Sequence, residues 1–303
     1  MSPLSLYGLR VESELALPGI QGGPGSTEPA PGAPTVAVRL AGRDAVRRRL
    51  DPAREALVGF STGDGPVRML RDRHGALLLD GGEVGTFALS ATGDSVLCAG
   101  ADPAAPRFQR MLLDTVLGTA ALQAGLEGIH AAAVTIGDRL VAIAADTGAG
   151  KSRLAAEAIR RGASLFTDDL LFLRAGPDGG LLAQPGPAVM NLPSECEPIG
   201  RSLALIGTER WVELDRAQPS PQAVALVVII DRRPGGGPPS LSRDDAPATL
   251  LTLALDSGPA PERAQARLDM LAALARSAAI VRLSAGTDVP PAALAEVVEA
   301  AAR

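Results

Sequence analysis

Apolar positions alternate loosely at the start of the chain, as in Leu6-Tyr7-Gly8-Leu9-Arg10-Val11, which predicts an opening strand within residues 4–17. Residues 18–35 are rich in proline and glycine and predict a loop without regular structure. Thr35 to Leu40 predicts a strand, and Val67 to Leu79 and Gly85 to Cys98 predict short strands between Gly- and Asp-rich turns. The first third is therefore mostly β, a β-rich N-terminal domain over 1–105. Arg71-Asp72-Arg73-His74 reads as a solvated hairpin tip within it. Asp102-Pro-Ala-Ala-Pro106 marks a boundary, and 106–303 forms the second domain. It opens with helical spacing from Phe108 to Leu126, a helix packed between the two parts.

Beyond the helix the pattern switches between strand and helix. Ile129 to Ile136 and Arg139 to Ala145 are apolar runs joined by Gly137-Asp138, a strong hairpin signal. A helix over Ser152 to Arg161 is closed by Gly162. Ser164 to Thr167 is a short strand ending in Asp168-Asp169. Leu170 to Arg174 and Leu181 to Gln184 flank a second hairpin turn. Residues 185–210 read as irregular, with Trp211 to Leu214 a short strand. Ala223 to Ile230 reads as a buried strand and Arg232 to Pro239 as a loop. Pro261 to Ala278 is helical, Ala279 to Leu283 a strand and Pro291 to Arg303 a closing amphipathic helix. The class is α/β with a mixed sheet.

The hairpin and the helix bracket Ala145-Asp-Thr-Gly-Ala-Gly-Lys-Ser152, which fits a phosphate-binding loop with alanine at the usual first glycine. Gly148 and Gly150 let backbone N–H groups turn inward, and the following helix adds its positive end. Asp146, Thr147, Gly148, Ala149, Gly150, Lys151, Ser152 and Arg153 are the candidate nucleotide contacts. Among 29 Lys plus Arg, Lys151 is the single lysine. A compact ammonium fits inside a ring of amides where a planar guanidinium does not. Lys151 is placed to reach the outer phosphates, and Ser152 to ligate Mg2+.

Composition narrows the classes. A net charge of -5 and 2% aromatics argue against nucleic-acid binding. No apolar run reaches membrane length, and the opening residues lack a signal-peptide pattern, so the expectation is a cytoplasmic protein without a membrane partner. Cys98 and Cys196 form no metal or redox motif and no expected disulfide.

Asp168 and Asp169 end a strand, where a carboxylate can hold a metal or take a proton from a hydroxyl. Asp168 is the second candidate metal ligand, and both are candidate catalytic residues with Lys151. His130 lies on the strand beside the one that feeds the loop, where it could contact the phosphoryl group or tune the base. Arg201 and Arg210 are weaker candidates for stabilising charge on the transferred phosphate.

Ile129-His130, the hairpin, the loop Asp146 to Ser152, Arg161-Gly162 and Thr167-Asp168-Asp169 together resemble the catalytic core of HPr kinase/phosphorylase over about residues 106–175. The β-rich opening looks more like HPr-kinase-like proteins of modified-peptide pathways of the lasso type, some of which phosphorylate a serine of a precursor peptide. The resemblance implies a P-loop kinase core of the HPr kinase/PEP carboxykinase type, with ATP and Mg2+ as cofactors. It further implies a serine-bearing peptide or protein acceptor, one aspartate of the pair as base, and His130 in support. HPr kinases assemble as hexamers, which makes a homo-oligomer an open expectation. Two alternatives remain from the residues: a nucleotide-binding regulatory module without turnover, and a small-molecule kinase acting, for instance, on free serine.

Overall fold

The computed structural model describes residues 4–20, 29–51, 54–57, 59–62, 65–146, 148–176, 178–215, 220–243, 247–255 and 261–303. Within them the chain builds two large sheets and one small one. The class is mixed α/β.

The first sheet has nine described strands, running in space from Leu4–Leu6 and Leu9–Ser13 through Thr35–Leu40 and Ser95–Ala99 to the hairpins Thr86–Leu89, Leu77–Asp80 and Gly65–Asp72. The two patterned stretches 67–79 and 85–98 thus each fold back on themselves. The tip of one hairpin is the Asp72–Ala76 turn, with His74 exposed. Alternation puts Val36, Val38, Leu77, Leu79, Phe87, Leu89, Val96 and Cys98 on one buried face. A helical rod covers that face. It begins as Pro106–Arg110, widens to a π-helical turn over Met111–Val116 and returns to α over Leu117–Gln123. The same apolar cluster takes in Phe172, Val189 and Trp211 from the later chain, so it runs across position 105.

The second sheet has eight described strands, in the order Leu181–Gln184, Leu170–Ala175, Glu127–Ile136, Arg139–Ala144, Val224–Arg233, Ala279–Gly286, Ser240–Arg243, with Ser164–Thr167 paired to Glu127–Ile136 as well. Arg139–Ala144, Val224–Arg233 and Ala279–Gly286 are parallel, and the flanking pairs are antiparallel. The central strands read as near-continuous apolar runs because both faces are covered. Ala132, Val134 and Ile143 pack beneath the helices Lys151–Arg160 and Pro291–Ala302. Ala131, Ala133, Ala142 and Ala144 face Leu250, Leu271 and Leu274 of the helices Pro247–Leu253 and Pro261–Ser277.

The stretch 185–210, expected to be irregular, instead contributes two strands of the small sheet. Val189–Pro193 and Arg201–Ile206 both pair with Glu209–Glu213. The apolar residues of these short strands, Met190, Leu192, Val212 and Leu214, join the core under the helix Lys151–Arg160. Short strands holding a proline carry too little periodicity to show in sequence, and tertiary packing decides them. The edge strand Ser240–Arg243 and the short helix Pro247–Leu253, whose Leu250 and Leu253 are buried, are also unanticipated.

Candidate active site

Register brings the candidate residues together. Arg139–Ala144 is antiparallel to Glu127–Ile136 with Ala144 opposite Ala131, so the turn leaving Ala144 starts beside His130. On the other side of Glu127–Ile136, Thr167 lies opposite Ala133 and Leu170 opposite His130. Asp168 and Asp169 occupy the break between those two pairings. Asp169 has φ 61°, the Leu170 N–H donates to the Asp168 carbonyl at 2.7 Å, and the Ala131 N–H donates to the Asp169 carbonyl at 3.1 Å. A left-handed aspartate costs about 1 kcal/mol or more, which the surrounding pairings offset. Three segments distant in sequence therefore meet at one end of the sheet.

The loop itself has Gly148 at φ 82° and Gly150 at φ 102°. The positive φ at both is what calls for glycine, since a Cβ at either would meet nothing within 4 Å, and the space around them is open. The Ala149 N–H closes onto the Asp146 carbonyl at 3.1 Å, and the Asp146 residue is exposed. Thr147 lies outside the described residues. The helix starts at Lys151 with Gly150 as its N-cap, and its first turn offers N–H groups to an anion.

Lys151 is buried, and its Nζ donates to His130 Nε2 at 2.9 Å and to the Ala145 carbonyl at 3.2 Å. His130 Nδ1 lies 3.0 Å from the Asp169 carbonyl. A carbonyl only accepts, so the tautomer assigned from these partners carries its proton on Nδ1 and offers the Nε2 lone pair to Lys151. Burial, and then the Lys151 charge, hold the His130 pKa below its usual 6.5, which favours this neutral form. Burial also lowers the Lys151 pKa, against the pull of Asp169, Asp168 and Asp146.

Asp168 is buried at 7% exposure. Its Oδ1 accepts from the Ser152 hydroxyl at 3.0 Å and its Oδ2 from the Asn191 N–H at 2.9 Å. Burial, and then the neighbouring Asp169, push its pKa well up despite these two donors. Hydroxyl and carboxylate side by side form a hard-oxygen corner next to the anion cradle. That donor set fits Mg2+, which keeps several waters and takes phosphate oxygens as ligands. Among the described residues no group of three or more His, Cys, Asp and Glu side chains is placed to hold a metal alone.

His130, Gly148, Gly150, Lys151, Ser152, Arg153 and Asp169 line one cavity of about 490 Å³. Its far wall comes from the small sheet and the loop between its first two strands, including Asn191, Glu195 and Glu209. Arg153 is ion-paired with Glu195 across the mouth. Arg201 is elsewhere: it is exposed, pairs with Glu213 and lines a different cavity. Arg210 donates to the Ser194 carbonyl at 3.1 Å and is not among the residues lining the site.

Four nearby residues had no signal in the sequence. Asn191 holds Asp168 through its backbone. Its side chain meets Asp114 and Arg110 of the helical rod. Tyr7 forms a turn with Gly8 at φ 55° and 81°, and its ring packs on Phe172 at 5.2 Å. The Tyr7 hydroxyl is fully buried and has no hydrogen-bond partner among the described residues. Burial first, then Asp114, Asp169 and Asp168, push its pKa well up. Only the wider turn over Met111–Val116, itself invisible in the sequence, would have drawn attention to Asp114.

No family model matches the chain, and no curated protein matches it. Among solved structures the chain is similar to the Hpr(Ser) kinase/phosphatase from Coxiella burnetii, at 16% sequence identity and a TM-score of 0.31, over 57% of this chain and 91% of that one. No helix among the described residues is long and apolar enough to cross a membrane.

Proposed function

We propose that the chain is an ATP- and Mg2+-dependent kinase that transfers the γ-phosphoryl group to a serine hydroxyl of a peptide or protein acceptor. The observation that carries this reading is the Ser152–Asp168 hydrogen bond at 3.0 Å, beside an ammonium buried in a glycine loop. Loop amides and Lys151 bind the phosphates, and Lys151 is kept pointing into the cradle by His130 and the Ala145 carbonyl. Ser152 and Asp168 would hold magnesium, which when bound neutralises charge on the transferred group.

The two aspartates divide the work by environment. Asp168 is buried and committed to Ser152 and Asn191, which suits a metal corner. Asp169 is only half-buried and lines the cavity, and its backbone carbonyl takes the His130 bond. Its carboxylate is the group we assign as base. It takes the proton of the acceptor hydroxyl while that oxygen bonds to the γ-phosphorus and the bond to the bridging oxygen breaks, releasing ADP.

The test is mass-detected phosphate transfer from ATP to serine peptides, with free serine in parallel. Transfer to peptides that disappears in Asp169→Asn supports the reading. Transfer to free serine alone moves the acceptor to a small molecule. A wild-type protein that binds no ATP overturns it.

A further inference from the structure

We propose that Asn191 is a positioning residue for Asp168, clamped by Asp114 and Arg110, so that the helical rod sets the geometry of the Ser152–Asp168 corner. The inference rests on the functional reading above and deepens it.

Asn191 sits in Val189–Pro193, which among the described residues is an edge strand paired only with Glu209–Glu213. Its N–H points off the ladder and donates to Asp168 Oδ2 at 2.9 Å. That bond and the one from Ser152 fix the plane of a buried carboxylate that burial alone would drive toward its neutral form. An edge strand has no second ladder to hold it, so a small shift would break the contact.

Side chains hold this strand from behind. Arg110 Nη1 donates to Asn191 Oδ1 at 3.2 Å and to Glu209 Oε2 at 2.9 Å, so one guanidinium pins two adjacent strands of the small sheet. Asn191 Nδ2 donates to Asp114 Oδ2 at 3.2 Å. The amide orientation is forced, because a guanidinium only donates and a carboxylate only accepts. A primary amide is the group that can meet both at once. Arg110 ends the first α-helical turn of the rod and Asp114 lies in the π-helical turn that follows, and both reach the same amide. The rod also packs beneath the N-terminal sheet, which ties that sheet to the corner.

The test is calorimetric binding of ATP with Mg2+ and of ATP with EDTA. It covers wild type, Asn191→Ala, Asp114→Asn and the double variant Asp114→Asn/Asn191→Asp, with thermal melts in ligand-free buffer confirming folding. Groups that orient metal ligands typically change metal affinity about 10–100-fold when removed. We expect Asn191→Ala to lose roughly tenfold of the magnesium-dependent tightening while ATP affinity in EDTA stays unchanged. Asp114→Asn, the milder change, loses part of it. The double variant restores donor and acceptor with their roles exchanged and recovers most of the loss. Magnesium-dependent tightening equal to wild type in both single variants overturns the proposal, as does a double variant whose tightening is no better than that of Asn191→Ala. Wild-type protein that binds no ATP in either buffer overturns instead the functional reading beneath it.

Discussion

The chain contains two histidines, and each sits next to a cation and a carboxylate. At the hairpin tip, Arg73 Nε lies 3.1 Å from His74 Nε2, and Arg73 pairs with Asp51 at 2.9 Å. In the loop cavity, Lys151 Nζ lies 2.9 Å from His130 Nε2, with Asp169 on the other side of the ring. The groups are nearly the same, but their surroundings are not. The His74 and Arg73 side chains are each 67% exposed, and water screens whatever they exchange. What orders that turn is Asp72, which takes the N–H groups of Asp51, His74 and Ala76. Burial raises its pKa, but those backbone bonds outweigh it and hold the carboxyl below its usual value. His130 has a buried lysine on one nitrogen and a strained main-chain carbonyl on the other. Both partners come from segments brought in by strand register. A histidine with charged neighbours becomes a site when its partners are fixed and dry, and the sequence neighbourhood alone does not say which case applies.

The sharpest way to break this contrast is at the cavity. Asp169→Asn should lower phosphoryl transfer by about 10²–10⁴-fold, the range for loss of a positioned base, with ATP affinity within a few-fold of wild type. Steady-state kinetics beside calorimetry would show it, and a matching drop in affinity would reassign Asp169 to binding.

Lys151→Ala should weaken ATP binding by roughly a hundredfold, since a desolvated charge–phosphate contact is worth a few kcal/mol. Equilibrium dialysis measures this, and unchanged affinity would mean the ammonium does not meet the phosphates.

A smaller effect separates the two histidines by pH. The folded-state pKa of His130 is depressed below 6.5, so the unfolded chain takes up the proton first. Stability from this residue is complete above about pH 6.5 and is lost as pH falls toward the lowered value, at no more than about 1.4 kcal/mol per pH unit. Melting curves between pH 7.5 and 5 (ordinary buffer range) should show wild type losing stability faster than His130→Gln, which keeps an acceptor near Nε2. Parallel curves would remove the Lys151–His130 bond from the argument.

The smallest effect belongs to the tip. His74→Ala should leave melting and transfer within about 0.5 kcal/mol of wild type, as exposed substitutions do. A clear loss of transfer there would show that the hairpin tip takes part in the reaction.

Much of the candidate site could be read before the fold. Gly148, Gly150, Lys151, the Gly137-Asp138 turn and the Asp168-Asp169 pair are local signals, because turn chemistry and apolar runs act over a few residues. His130 was legible because the hairpin puts it next to the loop by register alone. The far wall was not. Asn191 lies in a five-residue strand whose partner, Glu209–Glu213, pairs across a long excursion. Arg110 and Asp114 read as polar positions on an amphipathic helix, and their buried partners exist only once the small sheet has docked. The first sheet was seen as β, but its spatial order depends on the parallel pairing of Thr35–Leu40 with Ser95–Ala99, distant in sequence. The irregular reading of 185–210 failed for the same reason.

The solitary lysine has a practical corollary. Reagents that acylate side-chain amines find one such group in this polypeptide, and it lies inside the glycine bend. A change in the modified fraction on adding a nucleotide therefore reports on that bend, by the mass of a single peptide and with no mutation.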